Sequence, residues 1–464
     1  MSKRNLTILI IILIAIVAVV FGFSYFSKIS TTSPTGETQG INFISQFFPI
    51  GKKTTTQVPE TPPVDISGFE QASEIEMPEF RLAKVSSMPI AGFGVFMKER
   101  FKEVPVVVPE TPLLDEEGVG DGEDLLPPRP TGTPPKIGGK KSKPTPPPTE
   151  FIPALRYVER ATGNIYQTFA DKIDERKFSE TVIPNVYEAS LANNGESVVM
   201  RYLKTDEKSI ETFAGALPKE FLGADTTGGN KLTGIFLPEN TTDISISPDT
   251  SKMFYLFNSG NSAVGIASSA SGDKKSQVFD SPFTEWLSFW PNKNMITLTT
   301  KPSANVPGYM YAINPDKKDF NKILGNINGL TTLMSPNGKL VLYGNNNLSL
   351  NIYNINTGEI NPLGLRTLPE KCVWGKVSDT IYCAVPKFID AKEYPNSWYM
   401  GETSFSDDIW KIYITDGSTV IISDLVSING AEDIDGIKLA LDENENYLFF
   451  VNKKDSFLWE LNLK

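Results

Sequence analysis

Three segments of the chain share one pattern, and their spacing limits the possible folds more than any other feature. They read "DISISPDTSKMFYLF" from Asp243, "EWLSFWPNKNMITLT" from Glu285 and "LTTLMSPNGKLVLYG" from Leu330. In each, an alternating apolar stretch enters a tight turn of Pro with Asp or Asn and returns as a second alternating stretch. Period-two alternation bounded by turn residues marks half-buried strands in a hairpin. Pro248, Pro291 and Pro336 lie 43 and 45 residues apart, about the length of a four-stranded propeller blade.

Weaker copies begin at Tyr187 ("YEASLANNGESVVMRYL") and Ile437 ("IKLALDENENYLFFV"). A later hairpin turns on Thr-Gly or Asp-Gly in "YVERATGNIY", "IYNINTGEI" and "KIYITDGSTVI", supplying strands three and four. The expected fold is all-β: a β-propeller of about seven four-stranded blades over residues 79–464. Its first blade reads as 80–97 joined to 154–169. Five more begin near Val186, Asp243, Glu285, Leu330 and Cys372. The last, from Ile437, has only three strands, and its outer strand is expected from residues just before Phe80. Such an exchange closes the ring and removes open sheet edges.

The chain has two cysteines, both in "CVWGKVSDTIYC". Overlaid on the Leu330 repeat, Cys372 and Cys383 face each other across one antiparallel pair, within reach of a disulfide. Two thiols are too few for a zinc site, and their spacing is not that of a C-x-x-C redox motif. The plainer alternative is two buried free thiols in a reducing compartment. The disulfide is the reading taken, and it assigns the domain to an oxidising compartment.

"SPDTSKMFYLF" and above all "SPNGKLVLYG" resemble the repeat of TolB-like, WD-repeat-like β-propellers, roughly aromatic-Ser-Pro-Asp-Gly-Lys-x-aliphatic. The resemblance covers about 300 residues, and the Leu330 unit keeps most of the motif; Trp290 and Trp374 keep its aromatic elsewhere. It implies a propeller that serves as a periplasmic scaffold or as a gate ahead of a hydrolase. With no hydrolase segment after the last repeat, a scaffold is expected. No partner residue can be carried over.

The chain opens "MSKRNLTILIIILIAIVAVVFGFSYFSK". Residues 6–26 are uncharged and long enough to span a bilayer as a helix. The run is too long for a cleavable signal, and "GFSYFSKIS" is a poor cleavage site. An uncleaved, single-pass signal-anchor is expected, with residues 1–5 cytoplasmic and the propeller extracytoplasmic. Lys28, Lys52 and Lys53 on the far flank weaken the positive-inside signal, so the cysteines carry the orientation. Residues 27–78 read as a flexible Ser/Thr/Pro-rich stalk and 103–150 as a disordered Pro-rich insertion.

Histidine is absent and the net charge is −11. The first fact excludes Ser-His-Asp and Cys-His catalysis and histidine metal ligation. The second opposes nucleic-acid binding. "GADTTGGNK" from Gly223 lacks the Gly-Lys-Ser/Thr ending of a phosphate loop. No catalytic residue, metal or cofactor is expected.

The candidate site is the insertion "PKFIDAKEYPNSWYMGETSFSDD", 386–408. Tyr394, Trp398, Tyr399, Phe405 and Asp407 would present aromatics and an acid to peptide or carbohydrate. The alternative is a loop that folds over its blade and buries its own aromatics. Asp407 and Asp408 point to opposite faces of a strand and so do not act as one pair. Both this insertion and 103–150 are placed between second and third strands, hence on one face. The expected role is binding or scaffolding of envelope proteins or cell-wall glycans. The rival is a carboxylate-dependent glycan hydrolase or lyase at the propeller channel. Converging acids at the channel mouth would favour the enzyme, and an aromatic rim would favour binding.

Overall fold

The Ser-Pro-Asp/Asn turns are closed by their own side chains. Ser247 Oγ donates to Asp249 Oδ1 at 2.6 Å and accepts from Lys252 N at 3.0 Å; Ser335 does the same with Asn337 at 2.8 Å and Leu340 N at 3.0 Å. These bonds are all local to the hairpin and need no tertiary contact. Neighbouring turns are also tied together. Asn337 N donates to Ser378 Oγ at 3.1 Å, and Lys376 N donates to Glu445 Oε1 at 2.7 Å.

The computed structural model describes residues 82–102, 147–180, 182–222, 230–424 and 433–464. The proposed anchor 6–26, the stalk 27–78, most of the 103–150 insertion and most of "GADTTGGNK" lie outside the described residues. Within them the strands form seven four-stranded antiparallel sheets. The chain is a seven-bladed β-propeller.

The inner strands of blades 2 to 7 are Val186–Ala192, Thr241–Ile246, Trp286–Asn292, Thr331–Met334, Cys372–Trp374 and Gly436–Leu441. These match the starts read from the repeats. Seven apolar clusters hold the ring, one between each blade and the next. Val158, Val198 and Met200 lie between blades 1 and 2, and Tyr157, Phe449 and Val451 between blades 7 and 1. Where inner strands of blades 1 and 2 approach, a Cβ on Gly92 would lie 1.9 Å from Ala189 O, so only glycine fits without a backbone shift.

Blade 1 differs from the expectation by one strand. It consists of Ile90–Phe101, Thr149–Glu159, Ile165–Phe169 and Arg176–Ser179. Leu82–Lys84 is instead the outer strand of blade 7, with Leu82, Ala83 and Lys84 opposite Leu461, Glu460 and Trp459. Ring closure by strand exchange is therefore correct, but the strand follows Phe80. The Thr-Gly turn of blade 1 joins strands two and three, not three and four. The 103–150 insertion leaves between strands one and two, whereas 387–406 leaves between strands two and three, Thr380–Pro386 and Asp407–Tyr413. The two insertions emerge at opposite faces.

Cys372 and Cys383 are register partners. They form a disulfide with S–S 2.10 Å and Cα–Cα 4.1 Å, buried in the cluster between blades 5 and 6.

Candidate functional site

Connections between strands two and three, and those between blades, share one face, here called the upper face. The 387–406 insertion lies on it across the ends of blades 4 to 7. Asn396 Oδ1 accepts from Ala304 N at 2.9 Å, and Glu393 Oε1 accepts from Asn305 Nδ2 at 3.3 Å, both in blade 4. Leu348 of blade 5 and Ile437 of blade 7 pack against it.

The insertion turns inward because its aromatics find a small core of their own. After the cis Tyr394–Pro395 bond a helical turn, Asn396–Tyr399, carries Trp398. Tyr394, Trp398 and Phe405 are buried together with Leu348 and Leu368. Burying three rings outweighs leaving them as a sticky surface in water. Asp407 is also fully buried. Tyr399 is about half exposed and its hydroxyl is bonded to Glu370. Burial raises the Tyr399 hydroxyl well above its ordinary range and raises the Glu370 carboxyl too. Of the five residues read as a binding surface, four thus face inward. The apolar part of the insertion's outer surface is formed by Phe388, Met400 and the open part of Tyr399, among charged residues such as Asp390, Lys392 and Glu402. Asp407 and Asp408 do diverge: Asp408 pairs with Lys387 at 3.2 Å, while Asp407 turns into the interior.

Beneath the aromatics lies a charged group that no sequence motif marks. Lys371 Nζ sits 2.7 Å from Asp407 Oδ2 and in contact with Asp435 Oδ1, and all three side chains have no exposed surface. Asp435 Oδ2 accepts from Trp398 Nε1 at 3.1 Å, Ser404 Oγ at 3.2 Å and Phe405 N at 3.1 Å. Asp407 Oδ2 accepts from Gly436 N at 2.7 Å, while its Oδ1 has no partner. Burial pushes the Asp407 carboxyl up to about 6, with Lys371 opposing the rise.

Among the described residues, at least four clefts also open on the upper face. One of about 510 Å³ on blade 4 is largely aromatic, lined by Phe283, Trp286, Val306, Tyr309 and Tyr311, with the Glu285–Lys301 ion pair, 2.9 Å, at its side. Phe283 is 70% exposed and Val306 58%. Trp286 is fixed by its Nε1–H to Phe283 O at 2.8 Å and meets Tyr311 edge-on at 5.8 Å. A cleft of about 660 Å³ beside the insertion is polar, lined by Arg366, Asp390, Lys392, Glu393 and Met400 among others. Another of about 1060 Å³ lies between blades 7, 1 and 2, where Arg160, Glu207, Lys453 and Asp455 meet. The fourth, about 720 Å³, runs along the tops of blades 2 to 4 past Glu239 and Lys301.

At the upper end of the channel, register breaks in the inner strands of blades 2, 3 and 7 precede or surround Glu188, Asp243 and Lys438. Glu188 acts electrostatically on both Asp243 and Lys438. Burial pushes Asp243 up to about 7, against hydrogen bonds from Ser288 N at 2.5 Å and Ser288 Oγ at 2.6 Å. Lys438 is exposed along its stem, but desolvation around its amine lowers it, opposed by Glu188; its Nζ donates to Ala91 O at 2.8 Å. Glu188 is engaged by Arg201 at 2.6 Å. No group of three or more Asp, Glu or Cys among the described residues is arranged to hold a metal ion. No helix among the described residues is long and apolar enough to cross a membrane.

No family model and no curated protein matches this sequence. Solved structures do align with it. An oligogalacturonate lyase in complex with manganese is 9% identical, over 67% of this chain and 85% of that one, with TM-score 0.45. TolB from Acinetobacter baumannii is 10% identical, over 66% of this chain and 61% of that one, with TM-score 0.36. The tricorn protease is 14% identical, over 64% of this chain and 27% of that one, with TM-score 0.33. The likeness is one of fold.

Proposed function

We propose that the protein is an extracytoplasmic binding or scaffolding module, anchored through residues 6–26, that holds an envelope protein or cell-wall glycan on its upper face. The blade 4 cleft carries this reading. Aromatic walls that are locked in place, with Phe283 and Val306 left largely in water, suit stacking on a sugar ring or anchoring an apolar peptide side chain. The disulfide supports an oxidising compartment.

The test uses the full chain in detergent against a panel of cell-wall oligosaccharides and a displayed peptide library. Phe283→Ser and Val306→Ser, both exposed and harmless to the core, serve as probes. A ligand whose affinity falls about tenfold in these variants supports the reading. Binding unchanged in both removes the cleft from it.

Glu188 and Asp243 at the channel mouth support the second reading, a carboxylate-dependent hydrolase or lyase. Cleavage of an oligosaccharide that Asp243→Asn abolishes, with binding intact, would establish it.

A further inference from the structure

The Lys371–Asp407–Asp435 group is unusual in its charge balance. Two carboxylates and one ammonium stand with no exposed surface, where each unhydrated charge is costly. The rings of Phe405 and Trp398 lie 5.4 and 5.7 Å from Lys371 Nζ and keep water away. Lys453, 4.1 Å over the Trp398 ring, is a second cation nearby. Asp435 presents one oxygen to Lys371 and the other to three donors. That is the arrangement in which donors stabilise an oxyanion at a carbonyl under attack.

We propose that Lys371 and Asp435 become joined by an intramolecular amide, formed by the fold itself, with Asp407 carrying the protons. Asp407 first moves one proton from the Lys371 ammonium to Asp435 Oδ1; the neutral nitrogen then attacks Asp435 Cγ and the C–N bond forms. Negative charge collects on Oδ2, held by Trp398 Nε1–H, Phe405 N–H and Ser404 Oγ–H. Asp407 then takes a second proton from the nitrogen now bonded to Cγ and delivers it to the same Oδ1. That oxygen leaves as water as its bond to Cγ breaks. In sum one ammonium and one carboxylate give one amide and one water, with no change in oxidation state. Holding the partners in contact in a dry site supplies the effective concentration that the same groups lack in solution. Asp407, whose carboxyl burial has already raised, suits proton carriage. The product ties the connection that opens blade 6 to the connection that opens blade 7 and removes two buried charges.

The test is a tryptic digest of the purified full chain, reduced and unfolded, read by mass spectrometry. The expected result is no cleavage after Lys371 and a branched peptide containing Lys371 and Asp435, lighter than the two peptides together by one water. Asp407→Asn should restore cleavage after Lys371 and abolish the branched peptide. Complete cleavage after Lys371 in the unaltered protein, with an unmodified Asp435 peptide, overturns the proposal. A branched peptide joined through Asp407 overturns the assignment of roles. Because the unaltered protein carries the decisive result, a variant that fails to fold does not obscure it.

Discussion

Glu460 offers a pH-dependent measure of the ring closure. It stands opposite Ala83 in the exchanged strand, 5% exposed, with Oε2 lacking any hydrogen-bond partner. Burial, with Asp171 and Asp442 adding to it, pushes its carboxyl from the ordinary 4.5 up to about 8. A carboxyl raised on folding binds its proton more tightly in the folded state. Stability is therefore intact below the unfolded value and is lost as pH rises towards 8. At about 1.4 kcal/mol per pH unit the full lift corresponds to about 5 kcal/mol. Relaxation of the surroundings around a new charge reduces this to about 3 kcal/mol. Spread over the unfolding entropy of a propeller this size, that is about 4 °C in midpoint. Thermal unfolding of the full chain and of Glu460→Gln from pH 5 to pH 8.5 measures it. The two should nearly coincide at pH 5, and the variant should be the more stable by about 4 °C at pH 8.5. Other titrating groups, Asp243 and Asp407 among them, act equally on both proteins and cancel. Parallel curves across the range would refute the argument that Glu460 is folded in its neutral form.

The disulfide closes a short loop, with a sequence separation of 11. Its removal in Cys372→Ala/Cys383→Ala should cost about 3 kcal/mol by the loop-entropy relation, read as a lower urea midpoint that added reductant no longer changes. Gly92→Ala places a methyl group against Ala189 O and should destabilise by about 1–3 kcal/mol in the same assay, with no change in the disulfide.

Much of the ring was legible in the sequence because its signals are local. The Ser-Pro-Asp and Ser-Pro-Asn turns hold themselves, so their spacing reports the blades directly. The facing cysteines followed from the same overlay. The first blade was misread because "FRLAKVSSMPIAGF" has the alternation and the turn residues of a hairpin. Only its pairing with Leu458–Asn462, more than 370 positions away, shows that Leu82–Lys84 belongs elsewhere. The aromatic insertion was found, but its inward turn was not decided: the surfaces that receive Trp398 and Phe405 come from Leu348, Leu368 and Ile437, on other blades. Lys371 and Asp435 carry no sequence signal at all. A lysine before a strand and an aspartate after a loop look like ordinary surface residues until the fold closes over them.

The exchanged strand also sets the order in which the protein can be built. Leu82–Lys84 leaves the ribosome before any blade exists, yet its partner, Leu458–Asn462, is among the last strands made. Blades 2 to 6 are hairpins of near neighbours and can form as they emerge, and blade 1 follows once its second strand, Thr149–Glu159, has been made. Blade 7 cannot be completed, and until it is, the apolar flank of blade 1, with Tyr157 and Leu155, lacks the Phe449, Val451 and Leu458 it packs against. The growing chain is thus an open arc with one unsatisfied edge. Its final step is a closure between the two ends of the propeller, the slowest kind of contact to make.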